Sequence, residues 1–518
     1  MQIAAVKSAL ESRVLKKICS LESILQPINR LPKDIFIRIP RFFVNEKGDY
    51  HYNAFPMNKP LITMTHVCRS WRNVLLSTPT LWTQIDFSKS AYSQQAEGFL
   101  RRSGNQLLDV HQFLESEDHV EPFLSTTLHN IHRLRSLEIV SFLWHLERVL
   151  TRFTRSAPEL KHLTISNDPN ITDRDMRLHK TIFEDRLPKL TTLTLHRICT
   201  NLRDFNFPSL TRFTFVTGTE VSVRNLTSFF ERCPLLEFIR ISLRYMPQPP
   251  TAPPRRRVLL ATLQELRLDQ TACTTGLLDH LVLPKCTEMM LEGQFTDEAF
   301  DQYGSPAAQL HPSSINHLPV TRGITKAVAM PKSCVLSGPN GTLRFWCFDG
   351  ARENFDADFF TLFSPISALQ ITELWVGRRA ESHFGGKSEP WKQTVAGVHS
   401  AFEVLTKVED LIIVSCETEP FFTTLGTTVN GGVLLPGLQR LTIYVGCGDL
   451  DVPALIQSAK SRKEHFRPLG EVTVVLEEDP GANVMQEVEL LREFVGGLIY
   501  RVGKAPKLSW EGDNDDVW

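Results

Sequence analysis

Paired cysteines and long apolar runs are both missing from this 518-residue chain. Its ten cysteines are scattered, with no CxxC pair and no Cys/His cluster at zinc-ligand spacing, which argues against a disulfide framework or a zinc module. No stretch approaches the roughly 18 to 20 uncharged apolar residues that span a bilayer. Charged residues interrupt the N-terminal segment where a secretory signal would carry its apolar region. The sequence therefore predicts a cytoplasmic or nuclear protein with free thiols and no membrane partner.

An excess of either charge is also missing. The chain has 57 Lys and Arg residues against 58 Asp and Glu residues, a net charge of -1. Binders of nucleic acid or of membrane surfaces show a basic excess, so we expect neither nucleic acid nor lipid among the partners.

Catalytic motifs are the third absence. The sequence contains no HExxH, no GxSxG and no GxGxxG after a strand. Gly385-Gly386-Lys387-Ser388 is superficially similar to a phosphate-binding loop, but Glu381 stands where that loop requires its first glycine. We therefore predict a protein that is not an enzyme, with no catalytic residue, metal or cofactor. A rival interpretation is an enzyme built into residues 295–400, where the periodicity is weakest.

The segment that begins at Leu31 carries the pattern of a short helix. Pro32 can occupy the first helical turn, because its missing N–H would be unpaired there anyway. Ile35 and Ile39 lie four residues apart and therefore share one face. Pro40 is expected to end this helix early, since its ring clashes with the preceding turn.

A second helix is predicted after a polar, aromatic-rich connection. Val67, Trp71 and Leu75 recur at steps of four, with Cys68 beside them, which is typical of an apolar helical stripe. A turn after this helix leads into Leu81-Trp82.

Together these residues resemble the F-box motif, as it occurs in the F-box proteins that are numerous in mushroom-forming fungi. Pro40 and the polar insert after it depart from the family's short connection. The resemblance implies a small helical module that buries an apolar surface against the Skp-family adaptor of a cullin-RING ubiquitin ligase. The residues that it implies as core or adaptor contacts are Leu31, Pro32, Ile35, Ile39, Val67, Cys68, Trp71, Leu75, Leu81 and Trp82.

The remainder of the chain repeats a frame of the form L-x-x-L-x-L. Between Leu134 and Cys286 successive frames start 26, 30, 20, 26, 27 and 23 residues apart, which matches a leucine-rich repeat. On a strand the last two apolar positions of each frame point inward, and stacked repeats share one core. The frames are Leu134/Leu137/Ile139, Leu160/Leu163/Ile165, Leu190/Leu193/Leu195, Leu210/Phe213/Phe215, Leu236/Ile239/Ile241, Leu263/Leu266/Leu268, Cys286/Met289/Leu291, Leu343/Trp346/Phe348, Ile371/Leu374/Val376, Val408/Leu411/Ile413 and Leu438/Leu441/Ile443.

The sequence thus predicts an α/β protein in which a small N-terminal helical F-box precedes an irregular, horseshoe-like leucine-rich-repeat solenoid. Two irregular stretches, near 246–257 and 295–340, are predicted to be loops that project from the solenoid. A helix-like segment at 484–499 is expected to cap the core. The predicted parts are an amphipathic helix (1–27), the F-box domain (28–88), a linker with the first solenoid strand (89–130), the solenoid (131–500) and a tail (501–518).

Outward-facing strand positions form the predicted target-binding surface. They are mixed and slightly basic, which suits a peptide or an acidic or phosphorylated segment of a protein. The resemblance implies the substrate receptor of an SCF-type ligase, with a Skp-family adaptor, a cullin and an unidentified target as partners. The alternative is a leucine-rich interaction scaffold without a ligase role. The predicted target-binding residues are His162, Thr192, His196, Arg212, Phe238, Arg240 and Arg267.

Overall fold

The chain divides into two compact units, the first with the residues up to Thr200 and the second with Asn201–Asp513. No helix in the part of the chain described below is long and apolar enough to cross a membrane. The computed structural model describes residues 10–14, 27–45, 59–87, 93–114, 117–141, 143–167, 175–177, 182–185, 187–219, 221–243, 257–269, 276–294, 318–330, 333–348, 370–377, 395–414, 418–429, 431–445, 450–477 and 481–503.

Helices form where apolar residues recur at helical spacing. Residues 10–14, inside the predicted amphipathic helix, are helical, and the rest of that prediction lies outside the described residues. The longer helices are α1 (Lys33–Asn45), α2 (Lys59–Thr65), α3 (Arg69–Leu76), α4 (Ser93–Ser103), α5 (Val120–His129), α6 (Leu143–Leu150), α7 (Val223–Phe230), α8 (Val395–Val404), α9 (Glu419–Gly426), α10 (Val452–Glu464) and α11 (Gly481–Glu489).

The strands of the first unit are β1 (Gln84–Asp86), β2 (Leu108–Leu114), β3 (Leu134–Ser141), β4 (His162–Asn167), β5 (Met176–Arg177), β6 (Thr192–His196) and β7 (Ile198–Cys199). β1, β2, β3, β4 and β6 pair side by side in chain order, each parallel to the next. β5 and β7 form a separate parallel pair. Leu137, Leu163 and Leu193 lie opposite one another in register, and all three are buried.

The second unit contains a longer sheet of the same kind. Its neighbouring strands follow the order β8, β9, β11, β13, β16, β15, β14, β17, β18, β21, β22, β23, and all pair in parallel except β15 with its two neighbours. Two short pairs, β10 with β12 and β19 with β20, lie apart from it. The strands are β8 (Arg212–Thr217), β9 (Phe238–Leu243), β10 (Val258–Leu259), β11 (Glu265–Asp269), β12 (Leu281–Val282), β13 (Glu288–Gln294), β14 (Lys326–Met330), β15 (Ser333–Gly338), β16 (Gly341–Phe348), β17 (Glu373–Gly377), β18 (Asp410–Val414), β19 (Thr428–Val429), β20 (Gly432–Val433), β21 (Arg440–Val445), β22 (Glu471–Leu476) and β23 (Leu498–Val502).

The core lies on one face of each sheet. Ten of the eleven predicted frames are confirmed, because all three of their apolar positions are buried, as at Leu263, Leu266 and Leu268. Strand residues alternate between the two faces, so every second side chain meets the same buried layer. The mixed α/β fold class is therefore confirmed, with sheets that are mostly parallel.

The frame Leu343/Trp346/Phe348 is wrong by three residues. Leu343 lies opposite Met289, and Phe345, not Trp346, lies opposite Leu291. Leu343 and Phe345 are buried. The frame therefore begins at Asn340, a polar residue at the turn into β16, which hid the true start from the apolar pattern.

Two further predictions are corrected. Part of the loop predicted at 295–340 is an antiparallel hairpin of β14 and β15, in which small inward residues such as Ala327 weaken the periodic signal. Residues 295–317 lie outside the described part, as do 246–256 of the other predicted loop. The capping segment at 484–499 is not helical throughout, because α11 ends at Glu489 and β23 pairs with β22 as one more parallel strand.

Candidate functional site

The N-terminal module begins with a 3-10 turn, Pro27–Arg30, that leads directly into α1. The carbonyl of Pro32 accepts hydrogen bonds from the N–H groups of Ile35 and Phe36, both at 3.0 Å. Pro32 therefore caps the helix rather than lying within its first turn, and its fixed backbone angle sets the direction in which α1 starts.

Pro40 does not end α1, which continues to Asn45. The prediction of an early stop is wrong because a proline removes only one backbone hydrogen bond, and here its ring is buried. One residue later the guanidinium of Arg41 donates to Oγ1 of Thr80 at 2.9 Å, which holds the second half of the helix against the following turn.

The stripe predicted on one helix is divided between two elements. α2 ends at Thr65, and Cys68 is extended (φ −155°), so Val67 precedes α3 and does not share a face with it. The Sγ of Cys68 accepts the N–H of Trp71 at 3.5 Å and caps α3. Val67 is exposed, Trp71 is half-buried and Leu75 is fully buried.

A compact apolar core holds these helices together. Phe36 meets Trp71 edge to face, with 4.8 Å between ring centroids. The indole N–H of Trp82 donates to the carbonyl of Leu75 at 2.9 Å. Leu75, Leu81 and Trp82 are almost completely inaccessible to solvent. The structure therefore places these three of the predicted adaptor contacts in the core, where they cannot touch a partner directly.

The remaining apolar residues form what we call the apolar edge: Ile28, Leu31, Pro32 and Ile35. Ile28, Leu31 and Ile35 are 37%, 38% and 44% exposed, and Pro32 is exposed as well. They lie on successive turns, since the N–H of Leu31 donates to the carbonyl of Ile28 and the N–H of Ile35 donates to the carbonyl of Pro32. Ile39 continues this line and is half-buried. Sequence reasoning missed Ile28, although it lies three residues before Leu31, at helical spacing.

The apolar edge lies in a basic setting. Residues 27–45 and 59–87 contain seven Lys and Arg residues but only two acidic residues, Asp34 and Asp86. Asp86 is buried on β1. All seven basic side chains are exposed, namely Arg30, Lys33, Arg38, Arg41, Lys59, Arg69 and Arg72.

The predicted target-binding residues are divided between the two units. In the first unit His162 is exposed and lies opposite Thr192, while Thr192 and His196 are half-buried. This places all three on the face of the sheet that does not contact the core.

In the second unit Arg212 is exposed, and Arg240 and Arg267 are half-buried on adjacent strands in register. Phe238 is only 8% exposed, because the guanidinium groups of Arg212 and Arg267 lie 4.3 and 5.6 Å from its ring centroid. Phe238 therefore supports the two arginines instead of presenting its own ring.

Cys68, Cys199, Cys233, Cys286 and Cys334 are free thiols. Burial raises the pKa of the Cys233 and Cys286 thiols to about 12, so both stay protonated at neutral pH. Within the described ranges no group of three or more His, Cys, Asp or Glu side chains is placed to hold a metal ion.

No protein-family model matches the chain, and no curated protein is similar to it.

Proposed function

We propose that this chain is the substrate receptor of an SCF-type cullin-RING ubiquitin ligase. Its N-terminal module binds a Skp-family adaptor and, through that adaptor, a cullin, while the repeats bind the target protein. The chain contributes no catalytic group and acts by holding the target near a ubiquitin-charged conjugating enzyme. The observation that carries this proposal is the apolar edge.

Single exposed apolar residues are common on proteins, but the apolar edge places three large aliphatic side chains on successive turns beside a proline. Interfaces of this kind combine an apolar centre with a polar rim. Here the rim is mainly basic, since the exposed Arg30 and Lys33 lie within the same turns and Asp34 is the one exposed acidic residue among them. An adaptor that fits would present an apolar groove bordered by acidic residues.

The parallel sheets support a leucine-rich-repeat solenoid as the target-binding part. Through most of both units each strand pairs with the next strand in the chain. The two inward apolar residues of each strand lie opposite the two inward residues of its neighbour. A repeat of this kind cannot bury its apolar face alone, so stacked neighbours share one core. Their outward positions, with Arg212, Arg240 and Arg267 on the second unit, would then face the target.

Adaptor binding is the decisive test of the proposal. The double variant Leu31→Ala with Ile35→Ala shortens two exposed side chains and leaves the core of the module intact. Removing interface anchors costs about 1–2 kcal/mol each, so we expect the dissociation constant for a purified Skp-family adaptor to rise more than about tenfold. Isothermal titration calorimetry measures the affinity, and circular dichroism verifies the fold.

A matched control is Leu235→Ala, which shortens a leucine of similar exposure in the second unit. It should bind the adaptor like the wild type. Trp71→Ala is a poorer choice because Trp71 packs against Phe36 in the core. A wild-type chain that does not bind the adaptor at all would reject the ligase role and favour a leucine-rich interaction scaffold.

A further inference from the structure

The turn after α10 places a phenylalanine in a conformation that suits glycine. Phe466 has a φ of +59°. The N–H of Phe466 donates to the carbonyl of Lys463 at 3.1 Å. The N–H of Arg467 donates to the carbonyl of Arg462 at 2.9 Å. This hydrogen-bond pair closes a helix end through a left-handed residue, a position that is most often glycine because a Cβ is strained there.

Burial of the side chain does not offset the strain of this backbone conformation at Phe466. Of the other non-glycine residues described with positive φ, Phe183 (+55°) and Leu435 (+48°) are completely buried and Arg197 (+52°) is half-buried. Phe466 is 91% exposed. Strained residues persist where the surrounding structure fixes them, and they cluster at binding and active sites.

Arg462 fixes the end of α10. Its side chain is completely buried and donates to the carbonyls of Leu434 at 2.7 Å and Leu435 at 2.9 Å. Burial lowers the pKa of Arg462 to about 10, which leaves it charged at neutral pH. Because the last turn is anchored in this way, Phe466 is presented to solvent from a rigid support, and a partner need not order it on binding.

Exposed cationic residues lie on both sides of Phe466 in the sequence. Lys460, Lys463 and Arg467 are all exposed, and Glu464 is the one acidic residue between residues 460 and 467. The ammonium group of Lys463 also donates to the carbonyl of Glu493 at 2.6 Å, which ties α10 to the segment after α11.

We propose that Phe466, with Lys460, Lys463 and Arg467, is a docking surface for an acidic segment of a partner protein. An aromatic anchor among cations matches a ligand that combines carboxylates with an apolar side chain. A single aromatic ring and three cations on a chain of net charge -1 give little affinity for a lipid surface, so a protein is the better match. This surface shares no residue with the apolar edge, and the proposal does not depend on adaptor binding.

The first test is the effect of Phe466→Gly on stability. Relief of the left-handed strain outweighs the greater freedom of glycine in the unfolded chain, so the folding equilibrium constant should rise about two- to five-fold. Urea denaturation should show this as a higher midpoint. Leu435→Gly is the matched control, and its midpoint should fall because it removes a buried side chain at a similar φ. A lower midpoint for Phe466→Gly would give the ring a structural role and overturn the proposal.

The second test is binding of the full chain to an array of short synthetic peptides rich in Glu and Asp, with Leu or Trp at varied positions. Peptides bound by the wild type should be lost, by more than about tenfold in affinity, in Phe466→Gly and in Lys460→Glu with Arg467→Glu. Phe466→Trp should retain binding, and Arg224→Glu, an exposed cation on α7, should not affect it. Equal binding by wild type and Phe466→Gly, or binding only to phosphatidylserine vesicles, would refute an acidic protein partner.

Discussion

His111 lies on β2 between two carboxylates that belong to the neighbouring strands. Its Nδ1 is 3.6 Å from Oδ1 of Asp86 on β1, and its Nε2 is 3.9 Å from Oε1 of Glu138 on β3. The three residues lie opposite one another in register. Burial alone would lower the pKa of His111, but the hydrogen bond with Asp86 and the charges of Glu138 and Asp86 outweigh it and raise the pKa.

A raised pKa makes the contribution of His111 to stability depend on pH. The folded protein holds the proton more tightly than the unfolded chain, so the contribution is complete below the unfolded value of about 6.5 and is lost as the pH rises through the higher folded value. We therefore expect His111→Gln to lower the urea midpoint at about pH 5.5 more than at about pH 8.5. The exposed His132→Gln is the control, and an equal loss at both pH values would contradict the assignment.

At the scale of elements, the hairpin that interrupts the parallel order of the second sheet depends on glycine. Gly338 pairs with Gly341 where β15 turns into β16. Gly341 has a φ of +137°, and a Cβ there would lie 2.0 Å from the carbonyl oxygen of Thr287. The N–H of Thr342 donates to the same oxygen at 2.7 Å. Close approach of the two backbones is therefore what joins β16 to β13.

Gly341→Ala should destabilise the second unit strongly, because relief of the clash requires the strand to move. Gly431→Ala is the control, since Gly431 also has a positive φ (+81°) but no atom within 4 Å of the added Cβ. The left-handed conformation alone costs about 1–2 kcal/mol. We expect Gly341→Ala to exceed that cost and Gly431→Ala to remain within it, as measured by urea denaturation. Equal costs would show that β16 can shift freely.

For the molecule as a whole, positive and negative charges balance, but basic residues are concentrated in the N-terminal module. The chain carries -1 overall, but seven exposed basic residues and two acidic residues occupy the described part of 27–87. Charge of one sign around an apolar contact accelerates association with a partner of the other sign, and salt screens it.

Association of the chain with the proposed adaptor should therefore depend on salt. Between about 0.05 M and about 0.5 M ionic strength we expect the association rate to fall about tenfold, as measured by surface plasmon resonance. Arg30→Gln with Lys33→Gln should reduce this dependence. Leu31→Ala with Ile35→Ala should speed dissociation and leave the salt dependence unchanged. A rate that does not respond to salt would exclude a role for the basic residues in docking.

Most of the strand positions and most of the core follow from the sequence alone. Apolar residues that alternate with polar ones, as at Leu163 and Ile165, fix which side chains point inward, because strand geometry has a period of two. Helical spacing likewise predicted Leu75 as an apolar member of a helical module, and the resemblance to a family added Trp82. The proposed ligase role begins with the resemblance of the whole segment to a family, and the exposure of the apolar edge, which the structure added, carries it.

Which of the helical apolar residues lie in the core and which lie on the surface depends on tertiary packing. Leu31 and Leu75 are the same residue type, and helix packing alone buries the second and exposes the first. It also decided the register of β16 and the exposure of Phe466, since both depend on backbone contacts between segments distant in sequence. Local patterns report the preference of a residue for burial, whereas the neighbours that satisfy that preference are assembled by the fold.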